Sequence, residues 1–83
     1  MTDKERKDLE TKLDDFKSKL EKLKEKLSFE QSKEAMLEFQ INSFPNEPEW
    51  KTQLAYCQKA IQSVQDKIQE VETKISGIEW LLE

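Results

Sequence analysis

The stretch from Leu54 to Leu82 constrains the fold more than any other part of the chain. Leu54, Cys57, Ile61, Val64, Ile68, Val71, Ile75, Ile78 and Leu82 follow one another in alternating steps of three and four without a miss. That spacing puts them all on one stripe of an α-helix. In heptad lettering abcdefg, Leu54, Ile61, Ile68, Ile75 and Leu82 take a, while Cys57, Val64, Val71 and Ile78 take d. A stripe so long and narrow needs a second helix along its whole length.

The same chain supplies one. From about Asp3, a first arm carries Leu9, Leu13, Phe16, Leu20, Leu23 and Leu27 at the same alternating spacing, and Thr2 or Asp3 is placed to cap its start. Continuing that phase puts Glu30 at d and Glu34 at a before Leu37, Ile41 and Phe44 restore the apolar pattern. Two readings of this interruption differ in their consequences. Ser28 followed by Gln31 has the form of a capping box, so the helix could kink or break within Ser28–Lys33. Alternatively, helix 1 rotates after Ser28, turning Phe29, Met36 and Phe39 inward and Glu30 and Glu34 outward.

Both prolines lie in Phe44–Pro45–Asn46–Glu47–Pro48, where the chain must turn. Asn46 with Glu49 three residues later suggests a capping box for the second helix. Pro48 suits its first turn, and Pro45 could pack on Trp50 as a hydrophobic staple. The prediction is a single all-α domain over residues 1–83: helix about 3–42, turn 43–48, helix about 48–83, folded as an antiparallel, coiled-coil-like hairpin. If facing positions have numbers summing to 91, Leu9 meets Leu82, Leu13 meets Ile78, Leu20 meets Val71, Leu27 meets Val64 and Leu37 meets Leu54. The exceptions are Glu30 opposite Ile61 and Glu34 opposite Cys57. A buried, unpaired carboxylate costs several kcal/mol, so the helices are expected to splay, kink or admit water there.

A two-helix hairpin leaves other faces to explain. Phe29 and Met36 fall at c and Phe39 at f, forming an outward apolar stripe, with Tyr56 nearby and Trp80 at f near the far end. Their functional reading is an oligomer or partner interface. Flanking charges divide the two edges. Lys17 and Lys24 at e lie near Glu72 and Glu79, whereas Lys12, Lys19, Lys26, Lys67 and Lys74 gather on the g edge, where like charges line up. Those lysines are either a solvated ladder or a site for an acidic helix or an anionic ligand.

Composition removes several function classes. The net charge of −4 comes from interleaved signs, which disfavours nucleic acid and anionic membranes as partners. With no histidine, the chain lacks the commonest general base and metal ligand. Cys57, the only cysteine, sits on the apolar seam and reads as a small buried group, not a nucleophile. Asp14 with Asp15 has no calcium-loop spacing, and Gly77, the only glycine, forms no phosphate cradle. No catalytic residue, metal site or cofactor is expected, and the protein is not expected to be an enzyme. Met1 to Leu13 hold no signal-type apolar segment, and no stretch approaches the ~18 apolar residues of a membrane helix. The expectation is a cytoplasmic protein outside the membrane.

In architecture the hairpin resembles prefoldin-like and secretion-chaperone hairpins and compact phage proteins that block host defence. No residue motif accompanies the likeness. Trp50 is followed by Lys51 and Thr52, which departs from the WXG secretion motif, so no site residues are carried over. The expected function is a non-catalytic interaction module that self-associates, as a dimeric four-helix bundle or a higher oligomer, and binds or inhibits an unidentified protein as an adaptor or inhibitor. Its contact residues would be Phe29, Met36, Phe39, Tyr56 and Trp80. The alternative is a small phage-type inhibitor or sponge that captures an anion such as a nucleotide on Lys12, Lys19, Lys26, Lys67 and Lys74.

Overall fold

A computed structural model describes residues 1–83. Two helices, α1 over Asp3–Ser43 and α2 over Pro48–Leu82, pack against each other as an antiparallel hairpin. The 41 residues of α1 span roughly 62 Å at 1.5 Å per residue. The whole molecule measures 64 × 15 × 14 Å, so it is a rod one helix long and two helices wide. No helix is long and apolar enough to cross a membrane.

Each end of each helix has its own solution. Thr2 caps α1: its hydroxyl accepts the Glu5 amide proton at 3.1 Å and donates to the Glu5 carboxylate at 3.0 Å. This satisfies one of the four unpaired amides of the first turn. At the other end, Phe44 closes α1 through its N–H to the Gln40 carbonyl. Helix α2 begins differently from the sequence expectation. Its cap is Glu47, not Asn46, and the Glu47 carboxylate bonds no backbone amide. It accepts instead from the Trp50 indole N–H at 2.9 Å. Pro48 at the first helical position has no N–H to satisfy and a φ already suited to the helix, so the missing cap costs little. Neither helix has a basic residue in its last turn. Arg6 of α1 serves α2, donating to the Leu82 carbonyl at 3.4 Å and placing a cation at that helix's negative end.

The expected kink or break at Ser28–Lys33 is not found: α1 is one uninterrupted helix from Asp3 to Ser43. No Gly or Pro lies in this span, so every backbone bond can form, and a capping box worth ~1 kcal/mol cannot offset losing a turn of them. The alternative rotation of helix 1 is overturned as well. With the helix continuous its phase is fixed, and Phe29, Met36 and Phe39 stay outside at 67%, 62% and 68% exposure while Glu30 and Glu34 remain half-buried at the seam.

The core is the seam and nothing deeper. Leu37, Cys57, Ile61, Val64, Val71, Ile75 and Ile78 are buried. Leu9, Leu13, Phe16, Leu20, Leu23, Leu27, Ile41, Leu54, Ile68 and Leu82 are half-buried around them. Six of the seven buried residues belong to α2, whose compact β-branched side chains are overlaid by the longer leucines of α1. Phe44, read as the last member of the first seam, is 53% exposed because the chain has already left the helix there. No large side chain is completely enclosed. A single stripe of contact on a charged two-helix rod leaves much apolar surface uncovered.

Candidate docking face

The polar interruption of the seam is resolved locally. Cys57 occupies the space between the two glutamates, and its thiol faces the Glu30 backbone carbonyl at 3.3 Å and one Glu30 carboxylate oxygen at 3.6 Å. A helix carbonyl points toward the helix C-terminus, so the sulfur reaches the carbonyl of Glu30 from a level between Glu30 and Glu34. The facing residue by number is Glu34, whereas the hydrogen-bond partner is Glu30, one turn back. No buried side-chain oxygen or nitrogen is left without a partner. The cost of two acidic seam positions is therefore avoided by keeping the carboxylates at the seam's margin, over a side chain small enough to admit them. Burial pushes the Cys57 thiol up from its ordinary value of 9.0, and the hydrogen bond and negative charge of Glu30 push the same way. The thiol is a weak donor held protonated, the opposite of a reactive thiolate.

The two edges of the rod differ. On one edge Lys17 and Glu79 pair across the helices at 3.9 Å, both half exposed, an interaction worth less than about 1 kcal/mol in water. The companion pair expected from Lys24 and Glu72 is not within ion-pair distance, since Lys17–Glu79 is the only pair joining the helices. On the other edge, Lys19, Lys26 and Lys67 have no carboxylate within 4.0 Å. Lys74 is held over the Phe16 ring, 5.6 Å from its centroid, and bonds Glu70 in its own helix at 3.4 Å.

This lysine-bearing edge carries an apolar groove at each end. At the open end, Leu9 and Phe16 of α1 and Ile78, Trp80 and Leu81 of α2 line a groove of about 780 Å³, with Lys12, Lys74 and one carboxylate, Asp15, among its walls. Gly77 forms part of its floor, and a Cβ added there would meet nothing within 4 Å. At the turn end, Phe29, Met36, Leu37 and Trp50 line a second groove of about 430 Å³ beside Lys33 and Gln40. Tyr56 and Ala60 flank a smaller hollow next to it, over Cys57.

The interface candidates separate accordingly. Phe29 and Met36 enter the turn-end groove, Tyr56 lines the smaller hollow over Cys57, and Trp80 lies in the open-end groove, all strongly exposed. Phe39 is exposed but lines neither groove. Of the lysines proposed for an anion, only Lys12 and Lys74 meet at one groove. Leu9, Phe16, Ile78 and Leu81 were legible only as seam or flank residues. Trp80 at its outward position, with Lys12 and Lys74 on the g edge, was the sequence signal of the open-end groove, and Gly77 lies at the same place. No group of three or more His, Cys, Asp or Glu side chains is placed to hold a metal ion.

No protein-family model matches the chain, and neither the curated proteins nor the solved structures contain a match to it.

Proposed function

We propose that the hairpin is a non-catalytic protein–protein interaction module that docks helices on its unsatisfied faces, associating with itself and binding or inhibiting a protein partner. One observation carries this reading. After the internal seam is complete, Phe29, Met36, Phe39, Tyr56 and Trp80 remain 62% to 73% exposed. On a chain with 39% charged residues, exposed apolar groups of this size support the reading that another helix would cover them. For self-association, turn halves laid on turn halves would bury Phe29, Met36, Phe39 and Tyr56 in a four-helix arrangement and keep the lysine edges apart.

Sedimentation equilibrium over micromolar concentrations tests the oligomer. A two-chain or larger mass is expected, and a monomer throughout overturns self-association. Phe39→Ser and Met36→Ser should shift that equilibrium toward the single chain while the helical signal persists.

A second reading is favoured by the open-end groove, where Lys12, Lys74 and the Trp80 ring lie together. An anion with a flat apolar part, such as a nucleotide, has complementary chemistry. Calorimetry against a nucleotide panel decides it, and the absence of heat with every member leaves protein partners alone.

A further inference from the structure

The lysine edge and its two grooves form one continuous surface, and we infer that it seats an amphipathic helix from another protein, apolar toward both ends and acidic between them. This deepens the interaction-module reading by naming the chemistry of the partner; it does not depend on self-association, and a second copy laid on the turn half would compete with this helix for Met36. The centres of the two grooves lie about 20 residues of α1 apart, or roughly 30 Å at 1.5 Å per residue. A third helix laid along the edge reaches both. Its ends would cover Trp80 at one groove and Met36 at the other, and its centre would lie over Lys19, Lys26 and Lys67, which have no carboxylate within 4.0 Å.

Charge selects this occupant over a second copy. An antiparallel copy would match groove to groove, yet it would bring its own Lys19, Lys26 and Lys67 against the same three lysines. Glutamates on an incoming helix relieve the like-charge crowding instead and steer its approach. Gly77 is consistent with close approach. Its missing Cβ would touch nothing within the hairpin, so internal packing does not require glycine there, although glycine weakens a helix interior. An approaching helix uses the space it leaves.

The test uses the full chain and two synthetic helical peptides of about 28 residues. Both carry leucines in their first and last two turns; the first has glutamates along its central flanks and the second lysines. Trp80 and Trp50 line the two grooves and give each a fluorescence reporter, separable with Trp50→Phe. The glutamate peptide should bind, shift both tryptophans, and weaken with added salt. It should lose about tenfold or more in affinity against Lys19→Glu/Lys26→Glu/Lys67→Glu, a variant that should instead bind the lysine peptide. Equal binding of both peptides, binding by neither, or no exchange of preference in the triple variant overturns the inference. So does a shift of Trp80 that follows protein concentration without peptide and is not displaced by it, because a second copy then occupies the edge. Sedimentation of the protein alone reads self-association separately, so either idea can fail while the other stands.

Discussion

The Cys57 thiol sits 3.3 Å from the backbone carbonyl of Glu30, across the one place where the hairpin seam turns acidic. A small, weakly polar side chain thus fills the acidic part of the seam and finds a backbone acceptor there. It also explains how two glutamates enter an otherwise apolar stripe without a break in α1.

Because the thiol is held protonated in the folded chain, its contribution to stability depends on pH in a defined direction. Below the ordinary thiol value of 9.0 both folded and unfolded chains keep the proton, and the contribution is complete. Above it the unfolded chain releases the proton first, so stability falls as pH rises toward the higher folded value. Urea midpoints measured from about pH 8 to about pH 10.5 should decline more steeply for the wild type than for Cys57→Ala. Parallel slopes would contradict the assignment. At neutral pH, Cys57 should react slowly with thiol reagents until the hairpin is unfolded.

Replacing Glu30 by Leu should stabilise the hairpin. The d position is half-buried beside buried Ile61 and Cys57, and the thiol keeps its backbone acceptor. Burial of a leucine there is worth about 1 to 2 kcal/mol. Thermal melting followed by circular dichroism should show a higher midpoint, and a lower one would mean that the carboxylate is needed for packing.

Seam and surface should respond oppositely to truncation. Val64 and Val71 are among the most completely buried residues, so Val64→Ala or Val71→Ala should cost about 1.5 kcal/mol and lower the melting temperature. Phe39→Ser removes a side chain that is 68% exposed and should leave the melting of an isolated hairpin nearly unchanged. If Phe39→Ser proves as damaging as Val64→Ala in dilute solution, its side chain is packed and not exposed.

Gly77→Ala separates folding from docking. The added methyl meets no atom within 4 Å, so the gain in helix propensity, about 0.5 to 1 kcal/mol, should appear in full as a raised denaturation midpoint. The same methyl reduces the open-end groove, and a larger residue such as Gly77→Leu should fill it and lower affinity for a docked helix. An unchanged or lowered midpoint for Gly77→Ala would show that the position is constrained from within.

Much of this molecule was determined by sequence alone. The strict alternation from Leu54 to Leu82, its counterpart from Leu9 to Leu27 and the two prolines between them point to two helices, one turn and an antiparallel seam, because a narrow apolar stripe on a charged helix needs a second helix and the turn brings the first arm back along it. The Thr2 cap was legible because it is set by local spacing, and the edge joining Lys17 to Glu79 because it follows from the antiparallel register of the two seams. What happens at Ser28–Lys33 was not. Local bonding favours a continuous helix over a capping-box break there, but the heptad pattern does not say which of its faces tolerates the glutamates. The choice turns on whether α2 presents a residue small enough to tolerate the glutamates, which Cys57 does through a contact 27 residues away in sequence. Glu47 likewise displaced Asn46 at the start of α2 because Pro48 had removed one amide and Trp50 offered its indole N–H. The grooves are also tertiary, since each is walled by both helices and no single-helix pattern contains it. Periodicity states which face of a helix must be covered; only the packed pair decides what is left uncovered, because that surface is the remainder after two helices have buried what they can.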